Sequence, residues 1–351
     1  MKINFVLPSI GVSGGINVIY KYVDLLTSRG HDVYVYKEYQ ASNMHRYELN
    51  FINKIHQIYC TSKALIERKR WQHKEDRFVY KLTDKSVRNA DVIIATAWTT
   101  AYEVSKLSIE KGEKFYFIQD YEVWDNAYWV KKTYQLPLQK IVISTYINNC
   151  LKRDLGIGPF PIVFNGLDID IYHHVDVYRD EGIINFLMLN HTLSKKGVKN
   201  GIKVFENIKK EYPNAKFRMF GNCEKNNLPE YVEYYQNPSQ RKLVELYSMS
   251  DIFVFPSIEE GWGLTPLEAM ACGCIVVGTN TGFALDLGLN EINMMVSPVN
   301  DIGKMISNIN KVLNDKELAK KIRNNGLKTI KSLKWAESVI KLESILTSEN
   351  G

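Results

Sequence analysis

Short apolar runs recur along the 351 residues, each closed by a loop and followed by residues at helical spacing. This alternation constrains the fold more than any other feature. Lys2–Pro8 reads as a buried strand. A loop from Ser9 to Gly15 follows, and Ile16, Ile19, Tyr20, Val23, Leu25 and Leu26 then mark a helix. It stops at Arg29-Gly30, a basic last turn before a glycine, and Asp32–Tyr36 alternates as the next strand. Asp91–Thr96, Phe115–Gln119 and Lys140–Ser144 are further strands. Strands that alternate with helices in this way build a parallel sheet covered on both faces.

Pro159, Pro161 and the run Asn165-Gly166-Leu167-Asp168 interrupt the pattern. A second βα series begins at Ile183–Leu189 and continues through Lys216–Phe220, Asp251–Phe255 and Cys274–Val277. Asp301–Leu313, Lys316–Ser332 and Lys334–Thr347 read as closing helices. The expected fold is α/β: two doubly wound Rossmann-like domains, 1–164 and 165–333, facing a cleft. The helix 334–351 is expected to return to the first domain. Ligands of such sheets bind beyond the carboxyl ends of the strands.

Composition narrows the class. Apolar content of 45% suffices for cores without staples. Cys60, Cys150, Cys223, Cys272 and Cys274 are scattered and odd in number, which suits reduced thiols. Met1–Leu7 is too short for a signal peptide, and no apolar run of membrane-spanning length occurs. A cytoplasmic location is expected. Residues 51–90 hold ten Lys/Arg and four acids, which accounts for the whole net charge of +6. That segment fits anionic lipid headgroups at the inner face of a membrane, or an acidic acceptor; a solvated helix face is the plainer reading. No nucleic-acid partner is expected.

The densest chemistry lies between Phe255 and Ala271. A strand ends, and the loop Glu259-Glu260-Gly261-Trp262-Gly263-Leu264 follows. Thr265 is a good N-cap, with Pro266 at the first helical position. Free amides at that helix start would favour a phosphate. Two carboxylates, Glu260 on the loop and Glu268 in the helix, could hold two sets of sugar hydroxyls. Thr265-x-x-Glu268 also fits a capping box, so spacing alone leaves Glu268 as ligand or cap.

Glu260-x7-Glu268, preceded by a strand and Pro256-Ser257, resembles the donor signature of retaining GT-B glycosyltransferases of family 4. Gly14-Gly15 before a helix, Arg29–Val33, Asn165–Asp168, Ser248–Ser257, Thr281-Gly282 and Asn293–Asp301 are similar to that family's other landmarks. The resemblance covers most of residues 3–335 and is stronger in the second half. It implies a nucleotide-diphosphate sugar as donor, and a glycan or lipid-linked saccharide as acceptor, in bacterial surface-polysaccharide synthesis. Glu260 would contact the donor sugar and Glu268 the ribose. Lys196, with Lys195 beside it and the amides from Gly261 to Thr265, would face the diphosphate. No Asp-x-Asp pair ends a strand, so neither a metal nor another cofactor is expected. Retention is implied, with the leaving phosphate taking the acceptor's proton.

One departure stands out. His191 occupies the place where the family carries a phosphate-binding arginine, and a neutral imidazole does not replace a guanidinium. The phosphates could charge it, Lys195 could substitute, or amides could suffice. In the first domain, Gly14 and Gly15 would let backbone approach the donor. Asp120 is a candidate catalytic contact, and Gln119 and Tyr121 are candidate acceptor contacts. Tyr121, Trp124, Tyr128, Trp129 and Tyr134 could stack on sugars or simply pack. The string Gln119–Glu122 resembles bacterial rhamnosyltransferases. A nucleotide-sugar epimerase of the same fold and a non-catalytic partner in a glycan-assembly complex are the rival readings.

Overall fold

The computed structural model describes residues 1–8, 14–39, 50–67, 73–123, 126–225 and 228–348. It divides into two compact units. The first comprises 1–143, 147–163 and 338–351, and the second 144–146 and 164–337.

The first unit holds strands β1 (Lys2–Leu7), β2 (Asp32–Glu38), β3 (Asp76–Val79), β4 (Val92–Ala95), β5 (Glu113–Ile118) and β6 (Gln139–Val142). They form one parallel sheet in the order β3-β2-β1-β4-β5-β6. Helices α1 (Gly14–Ser28), α2 (Asn50–Glu67), α3 (Trp98–Lys106), α4 (Ala127–Thr133) and most of α5 (Thr145–Leu155) belong with it. Strand β3 escapes the sequence reading because it is four residues long and half-buried. It is anchored by charge: the buried Asp76 carboxylate accepts from Lys37 Nζ at 2.9 Å, from Tyr20 Oη at 2.6 Å and from His73 N at 2.9 Å.

The second unit holds β7 (Asn185–Leu189), β8 (Lys216–Gly221), β9 (Val232–Gln236), β10 (Ile252–Phe255), β11 (Ile275–Thr279) and β12 (Met295–Ser297), all parallel. Their order is β12-β11-β10-β7-β8-β9. Numbered within its own unit, this is the same winding as the first sheet, a repeat invisible in the residues themselves. Helices α6 (Val198–Glu211), α7 (Gln240–Ser248), α8 (Leu264–Ala271), α9 (Ile302–Asn314) and α10 (Lys316–Ser332) flank it. Phe186 and Phe217 stack at its centre, Phe205 of α6 meets Phe186 edge-on, and Val254 and Val277 are buried around them.

The last helix, α11 (Trp335–Thr347), begins in the second unit, and its residues from Ser338 onward pack with the first. Leu342 and Leu346 are buried there, and Glu343 binds Arg29 Nε at 2.8 Å and His31 Nε2 at 2.6 Å. Trp335 covers Gly166, where a Cβ would meet its backbone nitrogen at 2.5 Å. This explains the glycine in Asn165–Asp168.

In each sheet the winding reverses once, between β1 and β4 and between β7 and β10. At the second reversal the loops after β7 and β10 touch through backbone. Gly197 has φ of +65°, and a Cβ there would sit 1.9 Å from the Pro256 carbonyl oxygen. An alanine would add left-handed backbone strain of about 1–2 kcal/mol to that collision. Gly197→Ala is therefore expected to lower unfolding stability by at least about 2 kcal/mol in urea titration; an unchanged midpoint would show that the two loops are not locked there.

Candidate functional site

The contact at Gly197 brings together residues far apart in sequence. After β7 the chain runs through Asn190 and His191 into a 3₁₀ turn, Ser194–Lys196. After β10 it runs through Ser257 and Glu260 to α8. The Lys195 carbonyl accepts from Ile258 N at 2.7 Å and Glu259 N at 3.1 Å, which ties the loops backbone to backbone. Lys196 Nζ then meets both oxygens of Glu260, at 2.8 and 2.7 Å, and Ser257 Oγ donates to the same carboxylate at 3.3 Å. Lys196 and Glu260 keep only 17% and 13% of their side-chain surface, so the pair is shielded but reachable. Thr279 Oγ1 donates to the Ser257 carbonyl at 2.6 Å, and Ser144 Oγ to the Gly261 carbonyl at 2.6 Å. Both hold the loop beneath the carboxylate.

His191 is half-buried, and its Nδ1 accepts from Leu193 N at 3.0 Å. Burial lowers its pKa first, and the positive charges of Lys196 and Lys195 lower it further. The ring is therefore neutral near pH 7. With Nδ1 accepting, its proton resides on Nε2, which becomes a directed donor. Lys195 itself is buried at 8% exposure, which leaves Lys196 as the more open cation of the pair. A cavity of about 620 Å³ opens beside His191, walled by Asn190, Leu193, Val198, Cys223, Leu228 and Ile258.

Helix α8 starts two residues earlier than its sequence suggests. Its N-cap is Gly263, at φ of +94°, with no side-chain cap. Leu264 is the first helical residue, so Thr265 is not the cap and Pro266 is not first. The reason is steric: Gly263 lies against Glu260, Phe255 and Phe283, where only a glycine reaches the left-handed turn. Glu268 is thus five residues into the helix, too deep for a capping box. Instead its carboxylate accepts from Tyr247 Oη at 2.8 Å and from Tyr172. Burial raises its pKa to about 7. The two tyrosines had no signal in the sequence, lying on α7 and on the segment before β7.

The remaining candidates fall into place individually. Trp262 is 3% exposed and stacks on Phe164 at 5.0 Å, so its side chain is packing. In the first unit, Gly14 and Gly15 open α1 and are exposed, and Gly15 lies against the Gln119 side chain, 3.6 Å from a Cβ position. Asp120 is half-buried and accepts from Tyr121 N at 2.9 Å. Tyr121 does not offer itself as an acceptor contact: its ring is buried on Tyr134 and its hydroxyl donates to Asp154 at 2.7 Å. Tyr128 is exposed with Trp129 beside it, under Lys132. The loop Ser9–Ser13, Trp124, and Arg68, Lys69 and Arg70 lie outside the described residues.

All five cysteines are free thiols. Among the described residues one group could offer three metal ligands, Asp24, His73 and Glu75 in the first unit. Its histidine lies between the two carboxylates, one ring nitrogen 3.2 Å from Asp24 and the other 2.6 Å from Glu75.

Residues 176–329 match the family model described as Glycosyl transferases group 1. An uncharacterized glycosyltransferase of Methanocaldococcus jannaschii is 24% identical over 58% of either chain. The capsular polysaccharide biosynthesis glycosyltransferase CapM of Staphylococcus aureus is 27% identical over 50% of this chain and 47% of its own. The chain thus spans about half the length of these curated relatives. The Anabaena protein HepE, solved in complex with UDP-glucose, superposes with a TM-score of 0.73 at 14% identity, covering 99% of this chain and 100% of that one. The shared architecture is the GT-B fold.

The raised pKa of Glu268 carries a signed prediction. Between the ordinary value near 4.5 and about 7, the folded chain binds a proton that the unfolded chain releases. Its contribution to stability is complete below 4.5 and is lost as pH rises through 7. Glu268→Gln keeps the shape without the charge. It should melt above the parent at pH 8, with the gap closing towards pH 5; a pH-independent gap in thermal unfolding would remove burial as the cause.

Proposed function

We propose that the chain is a glycosyltransferase. It moves a hexosyl group from a nucleoside-diphosphate sugar to a saccharide or lipid-linked saccharide, with retention, in polysaccharide synthesis. The observation that carries this reading is the Lys196–Glu260 pair at the carboxyl ends of β7 and β10, where the second sheet reverses. The match over 176–329 and the names of the relatives support it. Rhamnose is the first sugar to test, on the resemblance of the Gln119–Glu122 string.

A donor bound here replaces the ion pair with two complementary contacts. Its diphosphate takes the Lys196 ammonium, and its sugar hydroxyls donate to Glu260. His191 adds Nε2–H to a phosphate oxygen, and the first amides of α8 add the helix terminus. A neutral donor here supplies direction without charge, so Lys196 carries the electrostatic share. Glu268 receives the ribose hydroxyls. Because hydroxyl donors favour its ionised form, donor binding lowers its pKa. The bond between the anomeric carbon and the leaving phosphate oxygen breaks, and the acceptor oxygen bonds to that carbon on the same face. The acceptor's proton passes to the phosphate oxygen. No side chain serves as base, and leaving-group charge is met by the chain's own donors rather than by a metal. Asp120, Gln119, Gly14 and Gly15 are the first-unit residues assigned to the sugar and acceptor.

Two measurements test this. Glu260→Ala should lower turnover by about 10²–10³-fold in a transfer assay while the protein stays folded; near-normal turnover removes Glu260 from the site. Lys196→Ala should weaken binding of the matching nucleoside diphosphate by about 10–100-fold in calorimetry, the worth of one charge-assisted contact; unchanged affinity removes Lys196 from the phosphates.

A further inference from the structure

Helix α2 is built inside out. Six of the sixteen exposed large hydrophobic side chains among the described residues lie on this one helix: Phe51, Ile52, Ile55, Ile58, Tyr59 and Ile66. They are 41 to 79% exposed. At about 100° per residue they fall within an arc of about 120°. The residues on other sides of the helix, His56, Gln57, Cys60 and Thr61, are the ones half-buried against the protein. A surface helix of a self-contained domain does the reverse, turning its apolar stripe inward. Among the described residues nothing covers the stripe, which leaves it open to an occupant from outside the chain.

Charge identifies that occupant. Lys54, itself exposed, borders the apolar arc on one side. The segment 51–90 carries ten basic residues against four acidic ones, the entire surplus of the chain. An apolar stripe with a basic border, inside a basic segment, is the pattern of a helix lying in the plane of a membrane interface. A second copy of the chain fits less well, because an isologous pair would set two such positive segments face to face. Among the described residues no helix is long and apolar enough to cross a bilayer, so α2 rests on the surface and does not span it. At 18 residues it is about 27 Å long, enough to lay the whole stripe along that surface.

We infer that α2 docks this protein onto an anionic lipid bilayer, with Phe51, Ile55, Ile58 and Ile66 inserted among the acyl chains and Lys54 at the headgroups. The inference is separate from the proposed reaction, since it needs neither donor nor acceptor.

The test is co-sedimentation of the full chain with vesicles of phosphatidylglycerol and phosphatidylcholine, against vesicles of phosphatidylcholine alone. Partition should be at least about tenfold stronger on the anionic vesicles and should fall at about 0.5 M salt, where screening shortens to a few ångströms. I55E/I58E should lower partition at least about tenfold with an unchanged far-ultraviolet circular dichroism spectrum. The milder I55S/I58S gives the same direction if the charged pair perturbs folding. Equal partition on both vesicles, or variants that bind like the parent, would overturn the inference. So would a lipid-free dimer in light scattering that I55E/I58E dissociates, which would assign the face to a second copy. Transfer activity does not enter any of these readouts.

Discussion

The candidate site depends on one contact between two stretches of backbone. Lys196 and Glu260 are 64 residues apart, and neither loop has a reason of its own to hold a charge in place. They meet because parallel strands β7 and β10 are neighbours and because Gly197 lets the first loop lie on Pro256. The Lys195 carbonyl then accepts two amides of the second loop. With the backbones joined, the side chains have little freedom left to lose, so an ion pair that would be weak between mobile residues becomes well defined. Ser257 and Thr279 extend the same logic downward into β11.

Two glutamates on one short segment illustrate how environment divides roles. Glu260 sits against a lysine and keeps part of its side chain exposed. Glu268 sits between two tyrosine hydroxyls, inside the protein, where ionisation is opposed by burial. The first is held by charge and the second by neutral donors. His191 follows a similar rule: burial first and the flanking lysines second lower its pKa, and one backbone amide fixes which nitrogen carries the proton.

Most strands could be read from the sequence because their apolar runs are buried on both faces of a parallel sheet. β3 and β9 could not. Each lies at a sheet edge and mixes polar with apolar residues, and Asp76 in β3 is buried only because Lys37 and Tyr20 reach it from elsewhere. The helical cap at α8 was misplaced for the same kind of reason. Thr265-Pro266 is a good local start signal, but Gly263 is squeezed by Phe255 and Phe283, and tertiary packing decides. The pairing of Glu260 with Lys196 was within reach of sequence reasoning only as two separate candidates. The tyrosines around Glu268 were not, since nothing in spacing connects residues 172, 247 and 268. In the first unit, Tyr121 shows the limit of reading an aromatic beside a strand end: a ring that looks available is filled by Tyr134 and tied to Asp154.

The way α11 is shared has a consequence for how the chain is made. The first unit takes its last helix from residues beyond the second unit, with Leu342 and Leu346 buried in it. A chain that emerges from the ribosome amino end first cannot finish the domain it started with. The second unit, continuous from 164 to 337, has all but Ser144–Tyr146 of its parts in one stretch and can close early. The first must wait with an apolar groove uncovered until the final helix arrives. The order of completion thus runs opposite to sequence order: the domain begun first is completed last.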